Sequence, residues 1–163
     1  MYKRIVVPLD GSELAEQALG QAIQLSKSTG SPLYLVRVVD ISSMARYAGA
    51  TPMAGADFGL LGTMVDEERE DSTKYITEMV KKLEGEGLQV SGEVLQGAVA
   101  MAIVDSASPE DVIVMSSHGR TGVSRWFLGS VAEEVVRKAT CPVLLVRKGI
   151  VDATANSEQA VTQ

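Results

Sequence analysis

Aromatic residues are scarce in this chain: two phenylalanines, one tryptophan and four tyrosines amount to 4% of it. That is too few for the stacking platform on which single-stranded nucleic acid is usually held. One cysteine, Cys141, cannot close an internal disulfide. Its setting, TCPVLLV, would be served equally well by any small apolar residue, so it reads as core filler rather than a reactive thiol. No apolar run approaches the roughly 20 residues of a membrane span, and the opening MYKRIVVPLDGS is too short in its apolar part for a signal peptide. The cytoplasm is the expected compartment. Positive charge is also in deficit, with 15 Lys and Arg against 21 Asp and Glu and a net charge of -6. Such a chain has no general attraction for polyphosphate or an anionic membrane surface, so any anion site must be built locally. Neither nucleic acid nor membrane is an expected partner.

What is present is a regular alternation. Ile5 to Leu9, Leu33 to Val39, Asp111 to Met115 and Pro142 to Val146 are short, β-branched apolar runs of the kind that form buried parallel strands. A fifth, LQVSGEVLQ, alternates more but lies where a strand is expected. Helical patterns fall between them. The first begins near Ser12, carries Glu13 and Glu16 in its first turn and ends at Gly30. The second carries Ile76, Met79, Val80 and Leu83, and the third Val99, Ile103 and Ala107. The fourth is expected to start at a capping box, Ser130-Val131-Ala132-Glu133, and to bury Val131, Ala132, Val135, Val136 and Ala139. At 163 residues, one α/β domain is predicted over 1–148, an open parallel sheet with helices on both faces. A Gly-, Ala- and Met-rich segment, 41–63, lacks a period and reads as a long flexible loop, with a lid or partner surface as the other reading. A polar tail, 149–163, is expected to fray.

In open α/β sheets ligands bind beyond the carboxyl ends of the strands, so the loops that leave those ends are the places to look. The first, Pro8-Leu9-Asp10-Gly11-Ser12, is neither G-x-G-x-x-G nor a P-loop. It also lacks the hydroxyl-rich loop of a flavodoxin, the acidic pair of a response regulator and the Ser-Gly-Gly-x-Asp-Ser style loop of an ATP pyrophosphatase. The loop after the fourth strand, SSHGRTGVSRWFLGS, combines Gly119, Gly122 and Gly129 with several hydroxyls, Arg120, Arg125 and no acid. Glycines admit an anion to backbone N–H groups, and Gly129-Ser130 opens a helix whose first N–H groups are unpaired. This is what a phosphate cradle requires. The alternative is a plain turn, with Ser130 capping the helix and the arginines on a solvated face. Ser117 and His118 are neighbours on one loop and cannot face each other across a pocket as a hydrolase triad would, so His118 reads as a loop hydrogen-bonder. Trp126, Phe127 and Leu128 read as packing beneath the loop, and Asp10 has a second reading as a helix cap.

The spacing Ser116-x2-Gly119-x9-Gly129-Ser130, the opening IVVPLDGSE and the closing CPVLLVR together resemble the universal stress protein family. Its ATP-binding branch has G-x2-G-x9-G-S/T in this place, and the likeness covers Lys3 to Arg147 apart from the long loop. The resemblance implies a Rossmann-like, adenine nucleotide α-hydrolase-like sheet of five strands in the order 3-2-1-4-5. It implies an adenine pocket at Pro8, Asp10 and Val38, with ribose and phosphates met by Met115, Ser116, Gly119, Gly129, Ser130 and Val131; Arg120 joins this candidate site on its charge, as a nearby attraction for phosphate in an acidic chain. Ser116 departs from the motif, which has glycine there. The implied ligand is ATP, or AMP or ADP; no paired carboxylates converge on the loop as a base for water, so no catalytic residue is expected and hydrolysis is slow at most, and any Mg²⁺ would come with the phosphates, mostly hydrated. The implied role is that of a stress-response sensor or regulator, a homodimer through its last strand. The alternative is a nucleotide-free dimeric signalling module of the same family.

Overall fold

A computed structural model describes residues 1–41, 58–117 and 128–147. The chain runs β1 (Ile5–Pro8), α1 (Glu13–Thr29), β2 (Leu33–Val39), α2 (Phe58–Gly85), β3 (Val90–Gln96), α3 (Val99–Ser106), β4 (Val112–Ser116), α4 (Ser130–Lys138) and β5 (Val143–Val146). The five strands form one parallel sheet in the order β3-β2-β1-β4-β5. That is the fold class and strand order expected.

Strand periodicity sorts the core into two layers. Ile5, Val7, Leu33, Leu35, Val112 and Val114 face α1 and α2, where they meet Ala15, Ala18, Leu19, Ala22, Ile76 and Leu83. Val6, Val36, Ile113 and Met115 face α3 and α4 and meet Ala100, Ile103, Ala132 and Val135. Cys141 is buried in this second layer, where burial and the charge of Asp111 push its thiol above the usual range, as inert filler requires. α1 is capped at both ends. The Ser12 hydroxyl accepts from the Ala15 amide, and Gly30 stops the helix in the left-handed region at φ 72°. On β3, a Cβ at Gly92 would stand 2.5 Å from Ile76 Cγ2 and 2.9 Å from Val80 Cγ2, so glycine is what lets α2 lie this close to the sheet.

At the amino ends of the strands Asp111, fully buried, is held by Arg4, with Arg4 Nη2 2.8 Å from Asp111 Oδ2. The Ser108 amide also donates to Oδ2 at 2.8 Å, and Arg4 Nη2 reaches the Ser106 carbonyl at 3.1 Å. Arg4 also lies over the Tyr34 ring, 4.6 Å from its centroid, and the Tyr34 hydroxyl donates to Glu93. One polar chain therefore crosses β3, β2, β1 and β4.

Four expectations are corrected. α2 begins at Phe58, so residues 58–63 of the expected loop are helical, with Thr63 Oγ1 donating to the Gly59 carbonyl at 3.1 Å. The glycines there hide the pattern, but Leu61, Val65 and Glu68 continue the stripe of Ser72 and Ile76 at helical spacing. The N-cap of α4 is Gly129, not Ser130. The Glu133 amide donates to the Gly129 carbonyl at 2.9 Å, which starts the helix one residue early. Ser130 is then the first helical residue, and Glu133 pairs with Arg137 at 2.6 Å instead of closing a box. Val136 is exposed, because α4 covers the sheet only along its Ala132–Val135 side. Leu128 is exposed rather than packed. Residues 42–57, Trp126, Phe127 and the tail 149–163 lie outside the described residues.

Candidate functional site

β1 lies between β2 and β4. After β1 the chain turns toward β2 and β3; after β3 it returns to β4. The helix after β1 packs on one face of the sheet and the helix after β4 on the other, which makes the carboxyl edge between them a switch point, where doubly wound sheets open a crevice for their ligands.

The β1 side of that crevice is a short, tightly held turn. The Leu9 amide donates to the Val36 carbonyl at 2.8 Å, which carries sheet pairing one step beyond Pro8. Asp10 Oδ1 then accepts from the Ser12 amide at 2.9 Å, an Asx turn, and Gly11 takes φ 79°, which an L side chain resists. Asp10 is thus anchored at the mouth of the crevice. The cap of α1 is Ser12 and not Asp10, whose carboxylate braces the turn that leads into it. Val38, half-buried near the end of β2, packs on the α3 and α4 side.

The β4 side begins with Met115, buried, and Ser116, which is the last residue of the strand and paired with Val146. Ser116 therefore sits in extended backbone, where serine replaces glycine without strain. The Ser117 amide donates to the Val146 carbonyl at 2.9 Å, and the Gly129 amide donates to the Ser117 carbonyl at 2.8 Å. That last bond sets Gly129 against the end of β4, so α4 opens at the switch point. Gly129 has φ -61° and ψ 148°, a conformation open to every residue, so no backbone constraint calls for glycine there. Ser130 is exposed at that opening, and Val131 is half-buried behind it.

Of the residues expected to form the site, Pro8, Asp10, Val38, Met115, Ser116, Gly129, Ser130 and Val131 all stand on the carboxyl edge of the three adjacent strands β2, β1 and β4, or at the start of α4. Gly119 and Arg120 lie outside the described residues, as do His118 and Arg125. Among the described residues no three His, Cys, Asp or Glu side chains cluster to hold a metal ion. No described helix is long and apolar enough to cross a membrane.

A polar cluster beside the crevice escaped the sequence reading. Arg37, on β2 immediately before Val38, pairs with Glu68 of α2 at 3.1 Å, its side chain only 11% exposed. Its guanidinium carbon lies 5.2 Å from the centroid of Tyr75, whose hydroxyl donates to Glu16 of α1 at 3.3 Å. Burial first, then Glu16 and more weakly Asp10, push the Tyr75 phenol up to about 12. The available signal was an arginine interrupting an otherwise apolar strand, LYLVRVV.

The five-stranded parallel sheet in the order 3-2-1-4-5, with helices on both faces, defines a doubly wound α/β protein. Comparison with known proteins is more specific. The profile of the universal stress protein family matches residues 1–147, and the chain belongs to that family. It is 36% identical over 150 residues to the universal stress protein MJ0531 of Methanocaldococcus jannaschii, covering 91% of this chain and 84% of that one. Its likeness to the solved structure of MJ0577, from the same organism, has a TM-score of 0.75 at 29% identity, covering 91% and 97% of the two chains. A universal stress protein from Archaeoglobus fulgidus, solved in complex with dAMP, has a TM-score of 0.58 at 25% identity, covering 88% and 97%.

Proposed function

We propose that this chain binds an adenine nucleotide, with ATP as the species its β4 loop is suited to hold, and that it acts as a stress-response sensor or regulator rather than as a dedicated enzyme. The observation that carries this reading is Gly129, a glycine with no backbone need to be one, bonded back to Ser117 so that α4 begins at the switch point. The first N–H groups of a helix have no partner within it, and together with the helix dipole they favour phosphate oxygens. In this reading Pro8, Asp10 and Val38 take the adenosine end, while Met115, Ser116, Ser130 and Val131 border ribose and phosphates. Gly119 and Arg120 belong to the same expected cradle. The dAMP complex of a relative with the same fold supports an adenosine ligand. Mg²⁺ would come with the phosphates and keep most of its water, because the described residues offer no cage of their own.

Mass spectrometry of small molecules released on denaturing the purified protein, followed by calorimetric titration with ATP, tests the reading. Adenine nucleotide in the release, or micromolar ATP binding by the emptied protein, is expected. Neither would leave the nucleotide-free signalling module as the better account.

A homodimer through β5 is part of the same proposal. β5 is the outer strand of the sheet, and Leu144 stands 43% exposed on it, with Val143, Leu145 and Val146 on either side and no charge before Arg147. Antiparallel pairing with a second copy about a two-fold axis would close this apolar edge. Sedimentation at micromolar protein should give a dimer, and a clean monomer refutes it.

A further inference from the structure

α2 is much longer than the strands it covers. Its 28 residues span about 42 Å at 1.5 Å each, against about 23 Å for the seven residues of β3, so roughly its first dozen residues rise beyond the carboxyl edge of the sheet. Packing fixes the level of this overhang. Ile76 and Val80 meet Gly92, the third residue of β3, and Glu68, two turns earlier on α2, meets Arg37 near the end of β2. Among the described residues this is the most N-terminal ion pair on α2.

The grip is more than one bond. Ser72, fully buried one turn after Glu68, donates to the same Glu68 Oε1 at 3.4 Å. Tyr75 lies under the Arg37 guanidinium and is itself tied to α1 through Glu16. Arg37 is the immediate neighbour of Val38, and Glu16 stands one turn into the helix that Asp10 and Ser12 begin. The cluster therefore connects three elements, α2, β2 and α1, at the two points where the chain enters the adenosine side of the crevice.

We infer that Arg37 and Glu68 are positioning residues for the adenosine end of the ligand: their ion pair holds the overhang of α2 beside the crevice and fixes the backbone that carries Val38. This inference rests on the nucleotide reading above. Its chemistry suits such a role. A guanidinium held in little solvent by a carboxylate and an aromatic face has a narrow choice of position, unlike an exposed lysine pair. Among the described residues, Arg37 and Glu68 pair with groups on α2 and β2, away from the start of α4. The inference therefore separates the two ends of the ligand.

The test uses the full chain with Glu68→Gln, which keeps shape and removes charge, and Arg37→Met, which keeps the apolar stem. ATP binding is read by calorimetry, tripolyphosphate by its displacement of ATP, and backbone motion by peptide-level hydrogen exchange. Each variant should lose roughly three- to tenfold in ATP affinity with tripolyphosphate affinity unchanged. Exchange should rise within residues 58–71 while the strands stay protected. Equal losses for both ligands, or unchanged exchange across 58–71, overturns the inference even when the wild type binds ATP. A wild type that binds no ATP overturns the nucleotide reading and this inference with it, so the two failures are distinct.

Discussion

Replacing Gly129 separates a phosphate cradle from a plain turn, because the two readings assign opposite consequences to one methyl group. With φ -61° and ψ 148°, the backbone accepts alanine without strain. Removing glycine from the unfolded chain favours the fold by about 0.4–1 kcal/mol. Alanine is a poorer N-cap than glycine, by about 0.5–1 kcal/mol. These contributions nearly cancel, so the folding stability of Gly129→Ala should lie within about 0.5 kcal/mol of wild type by urea denaturation. Binding should behave differently. Hydrogen bonds to a charged group contribute about 1.5–3 kcal/mol each. A Cβ that holds the phosphate away from one α4 amide should then cost ATP roughly ten- to a hundredfold in affinity. Gly129→Val, branched at the same point, should abolish binding. Ser116→Gly should shift affinity by less than about tenfold, since Ser116 already lies in the strand paired with Val146. Calorimetric titration of the four proteins decides the matter. Wild-type affinity in Gly129→Ala would refute the cradle, and binding only in Ser116→Gly would show that serine closes the site.

Three other outcomes follow from particular contacts. Although burial opposes its charge, Asp111 is held below the usual carboxylate range by Arg4 and Ser108, so its stabilisation is present above the unfolded carboxyl pKa and is lost as pH falls through the lower folded value. Denaturation midpoints should therefore fall steeply on the acid side in wild type and more gently in Asp111→Asn, which should also cost about 2–3 kcal/mol at neutral pH; parallel acid limbs would refute the assignment. Gly92→Ala should destabilise by about 1–3 kcal/mol in urea, since its Cβ would press on Ile76 and Val80, and an unchanged midpoint would mean that α2 does not lie this close. Leu144→Lys should shift the sedimentation equilibrium toward monomer while leaving the circular dichroism spectrum intact, and an unaltered dimer would remove β5 from the interface.

The parts of this molecule that were legible in its sequence are those written in local, repeated signals. A buried parallel strand needs side chains apolar on both faces, and Leu33–Val39 matches the residues expected, while the other strands differ by no more than two residues at an end. The point where β4 gives way to α4 was legible for a related reason. Glycine and hydroxyl residues gathered where a strand should end and a helix begin, and the structure brings Gly129 back to Ser117 there. Signals that depend on a partner far along the chain were harder to see. Gly59 and Gly62 weaken helix propensity, and only the continuation of Leu61, Val65 and Glu68 into Ser72 and Ile76 marks the first turns of α2. Ser130 has the composition of a capping box, but capping is decided by which residue leaves the extended region first, and the bond from Gly129 to Ser117 settles that one residue earlier.

Arg37 shows the same dependence most sharply. Within β2 it breaks an apolar run, and its partners lie 31 residues away in Glu68 and further still in Tyr75. A charge in a strand that should be buried must find compensation or leave the core. The sequence therefore holds the demand but not the residue that meets it. Arg4 and Asp111, 107 residues apart, pose the same demand at the opposite end of the sheet, where Arg4 also reaches the end of α3 through the Ser106 carbonyl. The two clusters act at opposite edges. The Arg4 pair ties strand beginnings together away from the crevice, so its loss should lower stability without touching ligand affinity. The Arg37 pair stands at the crevice and holds a helix that extends past the sheet. A variant series that removes each pair in turn, measured for both unfolding and ATP binding, should therefore give two separate patterns, and a single shared pattern would mean that neither cluster has a local role.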